Sequence, residues 1–105
     1  MAGYELEIVP AAAKELEALP RKKDRQAIVA RILSLAEEPR PPGCTKLSAV
    51  EDLYRIRHGR YRIVYSIEDD RLLVIVIRIA DRKEVYRRLG EARSRRSARP
   101  FGKPR

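Results

Sequence analysis

The stretch "LYRIRHGRYRIVY", residues 53–65, decides how the chain folds. Apolar or aromatic residues at 54, 56, 61, 63 and 65 alternate with arginines at 55, 57, 60 and 62. Alternation of period two marks a strand with one buried face, and Gly59 in its middle marks a turn. The stretch therefore predicts a β-hairpin turning at His58-Gly59. That turn sets Arg57 opposite Arg60 and Arg55 opposite Arg62, so all four arginines project from one face. Tyr54, Ile56, Tyr61, Ile63 and Tyr65 occupy the other. A one-residue slip would exchange the faces, which the apolar set forbids. Like charges on neighbouring strands destabilise a sheet. A solvated face would intersperse acids among them; four arginines of one sign point to an anionic partner.

The hairpin's neighbours complete the layout. After the turn "EDD" (68–70), "RLLVIVIRIA" (71–80) is an almost unbroken apolar run, as in a strand covered on both faces. Arg78 interrupts it, either as an edge contact or as a phosphate ligand. Upstream, "YELEIV" (4–9) alternates as a half-buried strand and ends at Pro10. "AAAKELEAL" (11–19) then predicts a short helix, with Pro10 tolerated at its start and Pro20 closing it. In a second helix over 21–38, Ile28, Ile32 and Leu35 share a face with Val29 and Leu33 beside them, all expected in the core. "EPRPPGCT" is a rigid connection, and its Cys44 reads as an idle loop thiol. "DRKEVYRRL" (81–89) predicts a last helix, with Asp81 and Glu84 at capping-box spacing. The expected class is α+β: a small antiparallel sheet in the order β-α-α-β-β-β-α. An N-terminal helical hairpin packs on one face, and a short C-terminal helix ends it. The other face is where function should lie.

One domain of residues 1–90 and a basic tail of residues 91–105 account for the 105 residues. The tail is too poor in apolar residues to be expected to fold. The net charge is +9; the tail carries six basic residues against one acid, leaving +4 for the domain. Such a chain is predisposed to phosphate-rich partners. No signal-peptide pattern opens the sequence, and "LLVIVI" is far short of a membrane span of about 20 residues. A single cysteine excludes an intrachain disulfide and a thiolate metal cluster. These features suit a cytoplasmic protein with no cofactor, no bound metal and no membrane role.

Residues 46–89, "KLSAVEDLYRIRHGRYRIVYSIEDDRLLVIVIRIADRKEVYRRL", resemble the RelE branch of the RelE/ParE toxin superfamily, from bacterial type II toxin–antitoxin pairs. The opening "YELEIVPAAAKELEALP" is similar to the family's usual start, so the resemblance spans nearly everything but the tail. It implies a ribosome-dependent endoribonuclease that cuts messenger RNA in the A site. It implies that Arg62 lies against the scissile phosphate, that Arg82 is a second active-site arginine, and that Tyr86 acts on the nucleotide by stacking or proton transfer. Arg55 and Arg57 match the family's basic strand, with Arg60 counted among the phosphate-binding residues. Arg21, Lys22, Lys23, Arg87 and Arg88 are further candidate contacts to ribosomal RNA. Relatives often carry a basic or imidazole residue where Asp81 stands, so this acid either caps the helix or pairs with Arg82 and weakens the site. The resemblance also implies a cognate antitoxin, acidic, partly disordered and DNA-binding.

The chemistry is coherent on its own terms. RNA brings its own nucleophile, the 2′-OH, so cleavage needs positioning, charge stabilisation and proton transfer. His58, the lone histidine, sits in the expected turn without a second histidine for acid–base pairing. Two alternatives stand beside the nuclease. One is a ParE-like toxin that poisons DNA gyrase; the other is a nucleic-acid-binding module without chemistry, held by counterion release.

Overall fold

The computed structural model describes residues 3–48 and 52–81, with the backbone of residues 99 and 100. In chain order the elements are β1 (Glu5–Ile8), α1 (Pro10–Glu17), α2 (Lys22–Ser34), β2 (Thr45–Lys46), β3 (Leu53–His58), β4 (Tyr61–Glu68), a 3-10 turn (Asp69–Arg71), β5 (Leu73–Asp81) and β6 (Arg99–Pro100). One sheet holds these strands in the order β2-β3-β4-β5-β1-β6. The α+β class and the helical pair are as expected from the sequence. The sheet is mixed, however: β1 runs parallel to β5, with Glu5 beside Leu73 and Ile8 beside Val76. A parallel pair needs a long crossover, and the excursion through α1 and α2 supplies it.

The hairpin differs from its expected register. His58 pairs with Tyr61 and Arg57 with Arg62, so the two-residue turn is Gly59-Arg60. Gly59 has φ +61° while Arg60 has no positive φ, the pattern of a type II′ turn with glycine first. This spares His58 the left-handed conformation that the expected turn required of it. Relative to the expected pairing the register moves by two residues, an even number. Arg55, Arg57 and Arg62 therefore keep their common face, and only Arg60 leaves it for the turn. The apolar alternation constrains the parity of the register but not its value.

The core forms between the sheet and the helices. Ile28, Ile32 and Leu35 are fully buried in one cluster with Ile56, Ile63, Tyr65 and Val76. Leu33 was expected beside them but is 43% exposed, since it falls off the Ile28–Ile32 stripe. Every residue of β5 from Leu73 to Ile79 is buried, as its apolar run predicts. On the arginine face, Val64 and Ser66 are also fully buried, so that face is open only toward the hairpin end. Among the described residues no helix is long and apolar enough to cross a membrane. The last helix expected after Asp81 lies outside the described residues. Within the tail expected to be unstructured, Arg99 and Pro100 pair antiparallel with Ile8 and Glu7.

Arg78 is an edge contact rather than an exposed phosphate ligand. It is 2% exposed, and its Nη2 donates to Glu15 Oε2 at 2.7 Å. Glu15 Oε1 accepts the Ile79 backbone N–H at 2.8 Å. The reason is topological. β1 stops beside Val76, leaving the end of β5 without that strand as its neighbour. Glu15, from the helix that continues β1, takes the place of the missing strand. Burying a guanidinium is costly unless a carboxylate meets it.

The connection after α2 is fastened to the hairpin by aromatic and ionic contacts. Tyr65 Oη donates to the Pro39 carbonyl at 2.7 Å, and Tyr54 stacks on Tyr65 with ring centroids 6.0 Å apart. Burial, then the Cys44 thiol, pushes the Tyr65 phenol up, which keeps its proton on the donor. The Arg40 guanidinium lies 5.1 Å from the Tyr54 ring centre and donates from Nε to Tyr54 Oη. Its two terminal nitrogens donate to Asp69 at 3.2 and 2.8 Å, and Tyr4 Oη donates to Asp69 Oδ1 at 2.6 Å. One carboxylate thus gathers the start of β1, the loop after α2 and the turn before β5.

The Arg40 hydrogen bonds, followed by that of Tyr4, hold the Asp69 carboxyl down at about 2. A carboxyl depressed in the folded state stabilises it above the unfolded pKa, about 3.9, and that contribution is lost as pH falls toward 2. Exposure and solvent screening keep the effect small. Asp69→Asn should melt about 3 °C below the wild type at neutral pH. The gap should close between about pH 4 and pH 2 and narrow in high salt; thermal melts across that range check it. The Glu15–Arg78 pair should weigh more. Glu15→Gln leaves the guanidinium buried without a counter-charge and should cost on the order of 3 kcal/mol in urea unfolding. Adding Arg78→Met should restore much of that loss.

Candidate active site

Side chains directly opposite one another across a sheet share a face, so the register builds the site. Arg57, Arg62 and Ala80 form one row across β3, β4 and β5; Arg55, Val64 and Arg78 form the next. Ile67 N–H donates to the Asp52 carbonyl. By alternation, Arg57 and Arg62 are then a non-hydrogen-bonded pair, the kind that brings Cα atoms to about 4.5 Å. Two guanidinium stems therefore start at the closest approach a sheet permits, and their charges repel.

The arginines of this face are not equivalent. Arg78 is neutralised by Glu15. Arg55 donates from Nη2 to Thr45 Oγ1 at 3.0 Å. Arg57 is exposed. Arg62 is 9% exposed, and among the described residues no carboxylate pairs with its guanidinium; its buried Nε meets no acceptor, a lack it shares with the Nε atoms of Arg55 and Arg78. Beside it on β5, Ala80 contributes only a methyl group. A nearly buried cation with an unsatisfied donor is costly, and a phosphate would supply what it lacks.

Arg60 is a correction to the sequence reading. From the turn, its Nε and Nη2 donate to Asp81 Oδ2 at 3.1 and 2.9 Å, and its side chain is 73% exposed. The Asp81 hydrogen bond, then its charge, raises the Arg60 pKa further. Asp81 is thus the last residue of β5 and the counter-ion of the hairpin tip. His58, paired with Tyr61, faces away from Arg62. Arg21, Lys22 and Lys23 are exposed at the start of α2. Arg82, Tyr86, Arg87 and Arg88 lie outside the described residues. Among the described residues no three His, Cys, Asp or Glu side chains gather where they could hold a metal ion.

Sequence reasoning missed Glu15, whose partner Arg78 is distant in the chain, because nothing local distinguishes it from any helical glutamate. It also missed Arg31, which the fold brings beside Arg55 and Arg57 around one cleft. The division of labour among the arginines is open to test. In a binding titration with a non-cleavable RNA, Arg57→Ala should weaken affinity several-fold, whereas Arg60→Ala should change it far less.

Comparison with known proteins agrees with this fold. Residues 6–86 match the family model described as the ParE toxin of type II toxin–antitoxin systems, parDE. Toxin RelE of Mycobacterium tuberculosis is 33% identical over 84 residues, covering 80% of this chain and 87% of that protein. Toxin RelG of the same organism is 26% identical over 85 residues, covering 81% of this chain and 98% of RelG. Among solved structures, a mutant E. coli toxin RelE in the free state superposes with a TM-score of 0.71 at 28% identity, covering 90% of this chain and 100% of that one. The archaeal RelE–RelB complex from Pyrococcus horikoshii gives 0.69 at 28% identity, over 76% of this chain and 96% of the matched one. The chain therefore belongs to the RelE/ParE superfamily of type II toxin–antitoxin toxins, within its RelE-like branch.

Proposed function

We propose that this protein is the toxin of a type II toxin–antitoxin pair and a ribosome-dependent endoribonuclease that cleaves messenger RNA in the A site. The observation that carries the reading is Arg62: a nearly buried guanidinium with no carboxylate partner among the described residues, opposed across the hairpin by a second arginine. The RNA 2′-oxygen attacks the adjacent phosphorus as it loses its proton. The O2′–P bond forms and the P–O5′ bond breaks, leaving a 2′,3′-cyclic phosphate and a 5′-hydroxyl that takes up a proton. Arg62 stabilises the charge that grows on the phosphorane oxygens, where a preorganised donor does most. Arg57 and Arg55 hold the flanking backbone.

Arg82 and Tyr86 complete this proposal, Arg82 as a second phosphate ligand and Tyr86 as the residue that stacks on the nucleotide or moves the proton. Cationic neighbours favour a tyrosinate, which brings a phenol of ordinary pKa, about 10, closer to use. The ribosome supplies the alignment of 2′-OH, phosphorus and leaving oxygen that a small open site cannot impose alone. RelE structures solved with RelB antitoxins support a cognate antitoxin here. An acidic, partly disordered, DNA-binding chain that folds onto the basic face suits the charge of the site. Action on messenger and ribosome implies the bacterial cytoplasm as its compartment.

The family model's ParE description favours a second reading, a toxin directed at DNA gyrase. One experiment separates the two. Primer extension on a defined messenger, in a purified bacterial translation system, should show cuts within A-site codons that require the ribosome. Arg62→Ala should reduce them at least about 100-fold, and Tyr86→Phe should do so with little loss of RNA affinity. Intact messenger together with inhibited gyrase supercoiling would replace this reading with the second.

A further inference from the structure

The sheet has an open edge beside the arginine face. β2 pairs with β3 only at Thr45↔Arg55 and Lys46↔Tyr54. Leu47 N–H donates to the Leu53 carbonyl, so by alternation the backbone groups of Leu53, Arg55 and Arg57 face this edge. Those of Arg57 lie past the end of β2. There the chain approaches through Pro42 and Gly43, where Gly43 has φ +92° and a Cβ would meet nothing within 4 Å.

The gap is a cleft of about 360 Å³ lined by Arg31, Pro42, Gly43, Thr45, Arg55 and Arg57. Among the described residues, three guanidiniums from two layers of the fold border it, and no carboxylate does. Arg31 comes from α2, whose Ile28 and Ile32 belong to the core on the other side of the sheet. Among the described residues no ion pair engages Arg31 or Arg57. Arg57 also stands directly opposite Arg62, so the cleft begins where the face ends.

We propose that this cleft is a second phosphate subsite, in which Arg31 and Arg57 hold a backbone phosphate of single-stranded RNA as the strand passes from Arg62 around the open edge of β3. This rests on the nucleic-acid reading above and adds Arg31, a helix residue, to it. The lining favours a backbone over the other polyanion available, an acidic protein segment. Among the described residues it offers charge and hydroxyl, with no aromatic ring to stack a base and no large apolar side chain to anchor an amphipathic partner. Guanidinium forks match phosphate oxygens in two-point contacts.

The test is a fluorescence-anisotropy titration of the full chain with a 2′-O-methyl RNA dodecamer over a salt series, for wild type, Arg31→Gln and Arg31→Lys. The probe cannot be cut and no ribosome is present, so the result stands apart from whether the protein is a nuclease. Arg31→Gln should weaken binding several-fold and flatten the slope of log K against log salt by about 0.7, one single-strand phosphate contact. Arg31→Lys should recover most of that slope, since it keeps the charge. Equal melting temperatures will show that the variants fold alike, and the lysine variant retains the test if the glutamine variant does not fold. Unchanged affinity and slope in Arg31→Gln, or no measurable RNA binding by the wild type, would overturn the proposal. So would a loss seen only with a polyglutamate peptide, which would assign the cleft to an acidic protein partner.

Discussion

Burial of β5 on both faces is the constraint on which the rest depends. A strand of seven consecutive buried residues, Leu73 to Ile79, needs a strand on each side and cover above and below. β4 supplies one side through an antiparallel ladder and β1 the other through a parallel one. Because β1 precedes the helices and β5 follows the hairpin, the chain must travel through α1 and α2 between them. The helices thereby come to cover the core face, and the hairpin is held with its apolar set inward. The arginines of β3 and β4 have only the other face to occupy. The one place where this scheme is incomplete is the end of β5, where β1 has already turned away. There Glu15 accepts the Ile79 N–H and neutralises Arg78.

Charge is distributed along the same lines. Arg40, Arg60, Arg71 and Arg78 each meet a carboxylate: Asp69, Asp81, Glu68 and Glu15. These pairs fasten a loop to a turn, a hairpin tip to the end of β5, a turn to itself, and a helix to a strand. Arg31, Arg57 and Arg62 have no such partner among the described residues, and they lie together at the hairpin end. These four acids thus serve architecture, and the positive charge at the hairpin end is left uncompensated among the described residues. The region tolerates mutual repulsion between Arg57 and Arg62 because the apolar side of the hairpin holds the register. Stability comes from the inward face, and Arg57 and Arg62 stand on the outward one.

Much of this could be read along the chain. The alternation of residues 53–65 predicted the hairpin, its buried face and the common face of Arg55, Arg57 and Arg62, because side-chain direction in a strand is a local property. The apolar run of residues 71–80 predicted a covered strand, which Leu73–Ile79 form while Leu72 stays 52% exposed in the turn before it, and the spacing of Ile28, Ile32 and Leu35 predicted the helix stripe. The same local rules placed the turn one residue too early, at His58-Gly59, an error of two in the pairing register that preserves parity. Only the strain of a positive φ, which Gly59 accepts as the first turn residue, chose between the two turns. Arg60 was misplaced for that reason alone.

What the sequence by itself determined is the class of elements, the facing of their side chains and the excess of positive charge, all of which follow from periodicities of two and 3.6 and from composition. What only the tertiary structure decided is which charges cancel. Arg78 looked like a candidate ligand until Glu15 met it from α1, and Asp81 gained a counter-ion when the fold brought Arg60 to it from the turn. Arg31 looked like any helical arginine until the fold set it against Arg55 and Arg57. An ion pair depends on the distance between two groups in space, and no local pattern encodes the distance between residues that lie far apart in the chain.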